Sequence, residues 1–159
     1  MRDSESINDT IATTIQSLHN DPATADRPVT LLAVGHDAFS VWELIADPPQ
    51  GLVAAVTINV PGTPGLDFAH GLDVATLSLN LESDTLVTGS HHEVHEAMSK
   101  AGTLHQVIVY GNAGENALNS VSPDWDENTA QDVALRTADW LQHRDGFTNQ
   151  NMENPTTHH

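Results

Sequence analysis

The chain has 159 residues, with 22 Asp or Glu against five Lys or Arg and no cysteine. The formal net charge of -17 opposes binding to nucleic acid and to anionic membrane surfaces, and the lack of cysteine excludes disulfides and thiolate sites. Without a signal-peptide pattern or a membrane-length apolar run, we expect a soluble cytoplasmic domain over residues 1–145 and a disordered tail over residues 146–159.

The first third of the chain predicts a helix, a buried strand and a second helix. The first helix spans residues 4–20, and its apolar stripe consists of Ile7, Ile11, Ile15 and Leu18. The continuous apolar run over residues 29–34 is typical of a strand buried on both faces of a parallel sheet. Asp37 is placed to cap a helix over residues 38–46.

The rest of the chain repeats this alternation. Three further apolar runs predict strands over residues 52–60, 74–81 and 104–110. Amphipathic patterns predict a helix over residues 93–100, ended by Gly102, and a last helix over residues 127–142. We therefore predict an α/β fold, a small three-layer sandwich in which helices flank a mostly parallel sheet of about four strands. In such sheets, functional residues lie at the carboxyl ends of the strands.

A polar segment follows three of the four predicted strands. The three segments are Gly-His-Asp over residues 35–37, Glu-Ser-Asp over residues 82–84, and the segment over residues 110–115, which reads Tyr-Gly-Asn-Ala-Gly-Glu. Their order and spacing over residues 5–143 resemble the C-terminal half of the dienelactone hydrolase family, within the α/β-hydrolase superfamily. Family members carry a Gly-x-Cys/Ser-x-Gly elbow, a Gly-Glu-x-Asp segment that supplies the acid, and a Tyr-x-x-Ala-Gly-His segment that supplies the base.

The resemblance implies three triad positions, and two of them hold unexpected residues. Asp37 stands at the nucleophile position, Asp84 at the acid position, and Glu115 at the histidine position. A hydroxyl or thiol nucleophile with a neighbouring imidazole base is missing from these positions. Phe39 occupies a position where the sharp elbow turn normally requires a small residue, so we predict a relaxed turn.

The resemblance also implies that part of the parent sheet is missing. The chain begins about one helix before the elbow strand, so the preceding strands and one oxyanion-hole donor are expected to be absent. Loss of one such donor typically costs about a hundredfold to a thousandfold in rate. Native proteins rarely leave an apolar edge strand bare, so we predict that a homodimer or a partner chain covers residues 29–34. Alternatively, the N-terminal helix or the Pro-rich loop over residues 61–65 covers the edge.

These departures predict a dienelactone-hydrolase-like protein that has lost catalysis and acts as a binding or interaction module, without a cofactor. Its ligand site would be an acidic strand-end cleft that includes His36, Phe39 and Pro61 and prefers cationic or polyhydroxyl ligands. The alternative is an atypical hydrolase in which Asp37 attacks or orients water, and Asp84 and Glu115 handle protons. In that alternative, a histidine from the loops, such as His36 or His70, reaches the site.

A histidine-rich segment is a further candidate, for a metal site. His91 and His95 are four residues apart, with Glu93 and Glu96 beside them, which is half of a zinc or nickel site. No second histidine pair at ligand spacing supplies the remaining ligands. The other interpretation is a solvated helix start rich in histidine.

Overall fold

The computed structural model describes residues 2–62, 74–111, 113–114 and 116–153, and side chains within residues 7–142 of those ranges. The described residues form four strands and four α-helices. In chain order the elements are α1 (Arg2–Asn20), β1 (Val29–Val34), α2 (Val41–Ala46), β2 (Leu52–Ile58), β3 (Ala75–Leu81), α3 (Thr85–Ala101), β4 (His105–Tyr110) and α4 (Glu127–Glu153).

The four strands form one parallel sheet in the order β1-β2-β3-β4. Residues of α1, α2 and α3, such as Trp42 and Met98, pack on one face of the sheet. On the other face, Val133 and Trp140 of α4 pack against the central strands. The predicted three-layer α/β sandwich is therefore confirmed, and the carboxyl ends of all four strands lie at one edge.

The turn after β1 differs from the prediction. Residues His36–Ala38 form a 3₁₀ helix, and the N-cap of α2 is Ser40. Asp37 therefore lies exposed within the turn, and the prediction that it caps the helix is wrong. Among the described non-glycine residues, only Asn59 has a positive φ. The backbone at Asp37 thus lacks left-handed strain, in agreement with the relaxed turn that Phe39 predicts.

Helix α3 begins at Thr85, well before the predicted start at residue 93. Threonine, glycine and serine in its first two turns are weak helix formers, and they hide the start from a periodicity argument. Asp84 is the N-cap, and its Oδ1 accepts a hydrogen bond from the backbone N–H of Val87 at 3.4 Å. Gly102, with φ of 77°, ends the helix as predicted.

Strand β1 and helix α1 are more exposed than their sequences suggest. Leu32 and Val34 are 49% and 60% exposed, so the prediction of a strand buried on both faces is wrong. The reason is that β1 is an edge strand, with a neighbour on one side only. Of the stripe predicted on α1, Ile15 is buried, whereas Ile7 and Leu18 are exposed.

Helix α4 continues past the predicted end at residue 142 to Glu153. On this helix Val133 and Thr137 are buried, and Ala134 is exposed. The last six residues of the predicted tail, 154–159, lie outside the described residues. None of the helices in the described part is both long enough and apolar enough to cross a membrane.

Gly62, just after β2, lies so close to α3 that a side chain does not fit. A Cβ atom there would lie 2.5 Å from Cγ2 of Val94 and 3.0 Å from the carbonyl oxygen of Ser90. We predict that Gly62→Ala lowers the free energy of unfolding by about 1–3 kcal/mol, measured by urea denaturation. Gly89→Ala is the matched control, because open space surrounds that helical position. It should raise the free energy of unfolding by about 0.5–1 kcal/mol, and equal effects of the two changes would contradict the close approach.

Candidate functional site

The carboxylate of Asp84 connects the ends of three neighbouring strands. It is 3% exposed, and its Oδ2 lies 2.5 Å from Nε2 of His36, which follows β1. The same oxygen accepts a hydrogen bond from Nδ2 of Asn59, which follows β2, at 2.7 Å. The other oxygen accepts the N–H of Val87 at the start of α3. Both oxygens are therefore engaged, which holds the buried carboxylate in one orientation.

Asn59 is a residue of this site that the sequence analysis missed. Its backbone adopts a left-handed conformation, with φ of 54°, and its Oδ1 accepts the N–H of Leu81 at 3.2 Å. Asparagine tolerates this conformation better than most residues, but such strain is concentrated at functional sites. The signal available in the sequence was a polar residue between the apolar Ile58 and Val60.

Asp84 is ionised at neutral pH. Burial by itself would raise the pKa of its carboxyl, but hydrogen bonds from His36 and Asn59, the charge of His36 and the N–H of Val87 outweigh it, so the pKa lies below its ordinary value. An ionised carboxylate can only accept hydrogen bonds. Asp84 therefore selects the form of His36 that carries a proton on Nε2.

His36 combines this buried partner with an accessible ring. Its side chain is 42% exposed, and it lies in the 3₁₀ helix after β1. With Nε2 donating to Asp84, Nδ1 of the neutral ring is left as an acceptor. No residue in the described ranges gives Nδ1 a hydrogen-bond partner. A histidine held by a buried carboxylate, whose second nitrogen has no partner among the described residues, has the arrangement of a general base.

Two of the three triad positions lie in the described part of the chain, and their surroundings differ. Asp84 is buried at the strand ends, whereas Asp37 is exposed and none of the hydrogen bonds of Asp84 involves it. Glu115 lies outside the described residues. The imidazole that contacts the acid is thus His36, which precedes the nucleophile position.

Two of the three residues predicted to bind a ligand are accessible. His36 and Phe39 are exposed, but Pro61 is buried. The carbonyl oxygen of Pro61 accepts a hydrogen bond from Nε1 of Trp42 at 2.9 Å, which ties this loop to α2. The backbone of Pro61 therefore has a structural partner within the protein core.

The histidine pair of α3 lies partly under the helix. His91 is buried and its Nε2 donates to the carbonyl of Val60 at 2.9 Å, while His95 is exposed. The ring centroid of His105, on β4, lies 6.4 Å from that of His91 and 5.4 Å from that of His95. Nδ1 of His91 and Nδ1 of His105 are buried and have no hydrogen-bond partner among the described residues. Within the described ranges, no three His, Cys, Asp or Glu residues are grouped so that they could hold a metal ion.

Comparison with known proteins identifies the fold. No family model and no curated protein sequence matches the chain. Among solved structures, it is similar to a candidate dienelactone hydrolase from Klebsiella pneumoniae, with a TM-score of 0.62 and 22% sequence identity over 84% of the chain. The match covers 58% of that protein. At this identity the likeness establishes the fold, and it confirms the dienelactone-hydrolase-like architecture that the order of the segments predicts.

The buried histidines predict a fold that is sensitive to acid. Burial, followed by the charges of His91 and His95, lowers the pKa of His105 to about 4 from a model-compound value of 6.5. As the pH falls below 6.5, the unfolded chain therefore binds the proton before the folded chain does, and stability is lost down to pH 4. We expect the titration of His105 to lower the free energy of unfolding by about 2 kcal/mol when the pH falls from 7.5 to 5, measured by urea denaturation. The lowered pKa of His91 acts in the same direction.

A variant pair separates this effect from the titration of the acidic surface. His105→Gln should show a smaller loss of stability between the two pH values than the wild type. His92→Gln is the control, because the His92 side chain is 83% exposed and should leave the loss unchanged. The same pH dependence in His105→Gln and the wild type would contradict the assignment.

Proposed function

We propose that this dienelactone-hydrolase-like fold is an interaction module that pairs with a second copy of itself through β1, and that it does not use a covalent nucleophile to hydrolyse esters. The observation that carries the proposal is the exposed apolar surface of this edge strand. Leu32 and Val34 are the exposed residues of β1, and they lie on the face of the sheet opposite to the buried Ala33. An accessible apolar edge strand is a template for pairing with another strand.

The apolar surface extends beyond the strand itself. Ile7 on α1 is exposed and lines a cavity together with Leu32 and Val34, and Phe39 after the 3₁₀ helix is exposed as well. Between α1 and β1 lies a cavity of about 190 Å³, whose lining includes no charged side chain; the lining residues are Ile7, Asn8, Ile11, Leu31, Leu32, Ala33, Val34, Ala38, Ser40 and Val41. On a chain with a net charge of -17, an uncharged region is where two copies repel each other least.

The charge distribution favours a second copy over a partner of different chemistry. A basic partner would be attracted to the acidic remainder of the surface, whereas an uncharged apolar strand matches a surface like itself. A two-fold axis beside β1 would bring the same strand of both copies together, so that Leu32 and Val34 of each copy become buried. Such pairing would also give backbone partners to the outer side of β1.

The nucleophile position supports the second part of the proposal. Asp37 is exposed on a relaxed turn, and the neighbouring His36 is hydrogen-bonded to Asp84. A covalent route requires a nucleophile on a strained elbow, with its base in hydrogen-bond reach. Asp37 does not combine a strained elbow with a base in hydrogen-bond reach among the described residues, which supports a function without a covalent nucleophile.

Sedimentation velocity at micromolar concentration tests the pairing. We expect the wild type to sediment as a dimer, and Leu32→Glu to weaken association at least about tenfold, because the new carboxylate would have to be desolvated in the interface. Leu135→Glu is the matched control, since it adds the same charge to an exposed leucine on α4 and should leave the dimer intact.

Two outcomes would overturn the pairing. One is a wild type that remains monomeric at tens of micromolar. The other is equal dissociation by Leu32→Glu and Leu135→Glu, which would mean that total charge, rather than the surface of β1, controls association.

A further inference from the structure

We propose that His36 and Asp84 form a dyad in which His36 acts as the general base that activates water for the hydrolysis of uncharged or cationic carboxylic esters at the strand ends. The base in this dyad comes from the turn after β1, whereas the resemblance assigns the base to position 115, after β4. The dyad uses residues other than the exposed apolar surface of β1, so experiments can test it independently of the proposed association.

The two oxygens of Asp84 have separate partners, which distinguishes this residue from a simple helix cap. Oδ1 caps α3 by accepting a hydrogen bond from the N–H of Val87. Oδ2 contacts His36 and accepts from Asn59. Asn59 reaches this oxygen from a left-handed backbone, a conformation that costs free energy and has no role in capping the helix. The local strain thus serves to hold the oxygen that faces the imidazole.

The imidazole is oriented for proton transfer. Asp84 is a positioning residue, because its carboxylate fixes the proton on Nε2 of His36 and stabilises the imidazolium that forms during reaction. Nδ1 is directed away from this bond, on a ring that is partly exposed. Gly35 precedes it with φ of 90°, and no atom of the described residues beyond its chain neighbours lies within 4 Å of where its Cβ would be. Among the described residues, the space beside the backbone that leads into His36 is therefore open.

The proposed reaction needs no covalent intermediate. Nδ1 of His36 removes a proton from water while the water oxygen bonds to the acyl carbon and the carbonyl electron pair moves to the carbonyl oxygen. When the tetrahedral intermediate collapses, the bond from carbon to the leaving oxygen breaks, and the imidazolium returns its proton to that oxygen. The products are a carboxylic acid and an alcohol, and Asp84 remains ionised throughout. Water takes the place of the missing hydroxyl or thiol nucleophile.

The charge of the protein restricts the substrate. A net charge of -17 repels anionic esters and concentrates cationic ones near the surface. With 4-acetoxybenzoate as an anionic ester and an aryl acetate that carries a trimethylammonium group as a cationic one, we expect a higher kcat/KM for the cationic ester. The difference should shrink as the salt concentration rises.

The decisive measurement is steady-state hydrolysis of 4-nitrophenyl acetate by the full chain and three variants. His36→Gln keeps a donor for Asp84 but cannot take up a proton, and it should lower kcat about a hundredfold or more. His92→Gln controls for the background reactivity of exposed imidazoles and should leave the rate unchanged. Asp37→Asn should also leave the rate unchanged, without a burst of nitrophenol.

Asp84→Asn tests the positioning role. It should lower kcat while KM stays the same, and the downfield proton resonance of the hydrogen-bonded Nε2–H of His36 should disappear from the NMR spectrum. If this variant does not fold, His36→Gln decides the question, because that side chain is partly exposed and lies outside the core clusters. Equal rates in the wild type and His36→Gln would overturn the inference. A rate that depends on Asp37, with a burst, would overturn it in favour of a covalent nucleophile.

The two proposals fail in different ways. Monomeric protein with turnover that depends on His36 would remove the association and leave the dyad. A dimer without turnover above that of His36→Gln would remove the dyad and leave the association.

Discussion

The buried carboxylate of Asp84 is the interaction on which the strand-end edge of this protein depends. It accepts hydrogen bonds from the start of α3 and from the residue after β2, and it contacts His36 after β1. A buried charge costs free energy unless hydrogen bonds compensate it, so these partners are required for the site to exist. Replacement of the carboxylate would leave each of these donors to find another acceptor. Asp84 therefore links the turn that carries His36 to the start of α3.

The exposed edge of the sheet at β1 is the second feature that shapes this protein. The two faces of the sheet are covered by different helices, and the central strands are buried, but β1 has one strand neighbour and exposed apolar side chains. The described cavity between β1 and α1 is lined by uncharged residues, although the chain as a whole is strongly acidic. The proposed association through β1 and the proposed chemistry at the strand ends would use different side chains. The two proposals therefore do not compete for the same residues.

The sequence predicts features that depend on local patterns, and it fails for features that depend on the tertiary arrangement. The bounds of β1, residues 29–34, agree with the apolar run, because a continuous run between polar linkers is a local property. The burial of that strand was predicted wrongly, because exposure of Leu32 depends on which strand occupies each edge. The start of α3 was missed because its first turns contain weak helix formers, and Asp84 compensates for them as a cap.

The amino-acid sequence by itself determined the alternation of helices and buried strands, the parallel α/β architecture and the resemblance to the dienelactone hydrolase fold, because hydrophobic period and segment order are properties of the chain alone. Through that resemblance, it also predicted that Asp84 stands at the acid position. Only the tertiary structure decided that His36 is the imidazole beside it, since the two residues are 48 positions apart and meet through turns that have no periodic signal. The role of Asn59 was decided in the same way. Its amide reaches Asp84 because parallel strands bring their carboxyl ends to one edge, and that neighbourhood exists only once the sheet has formed.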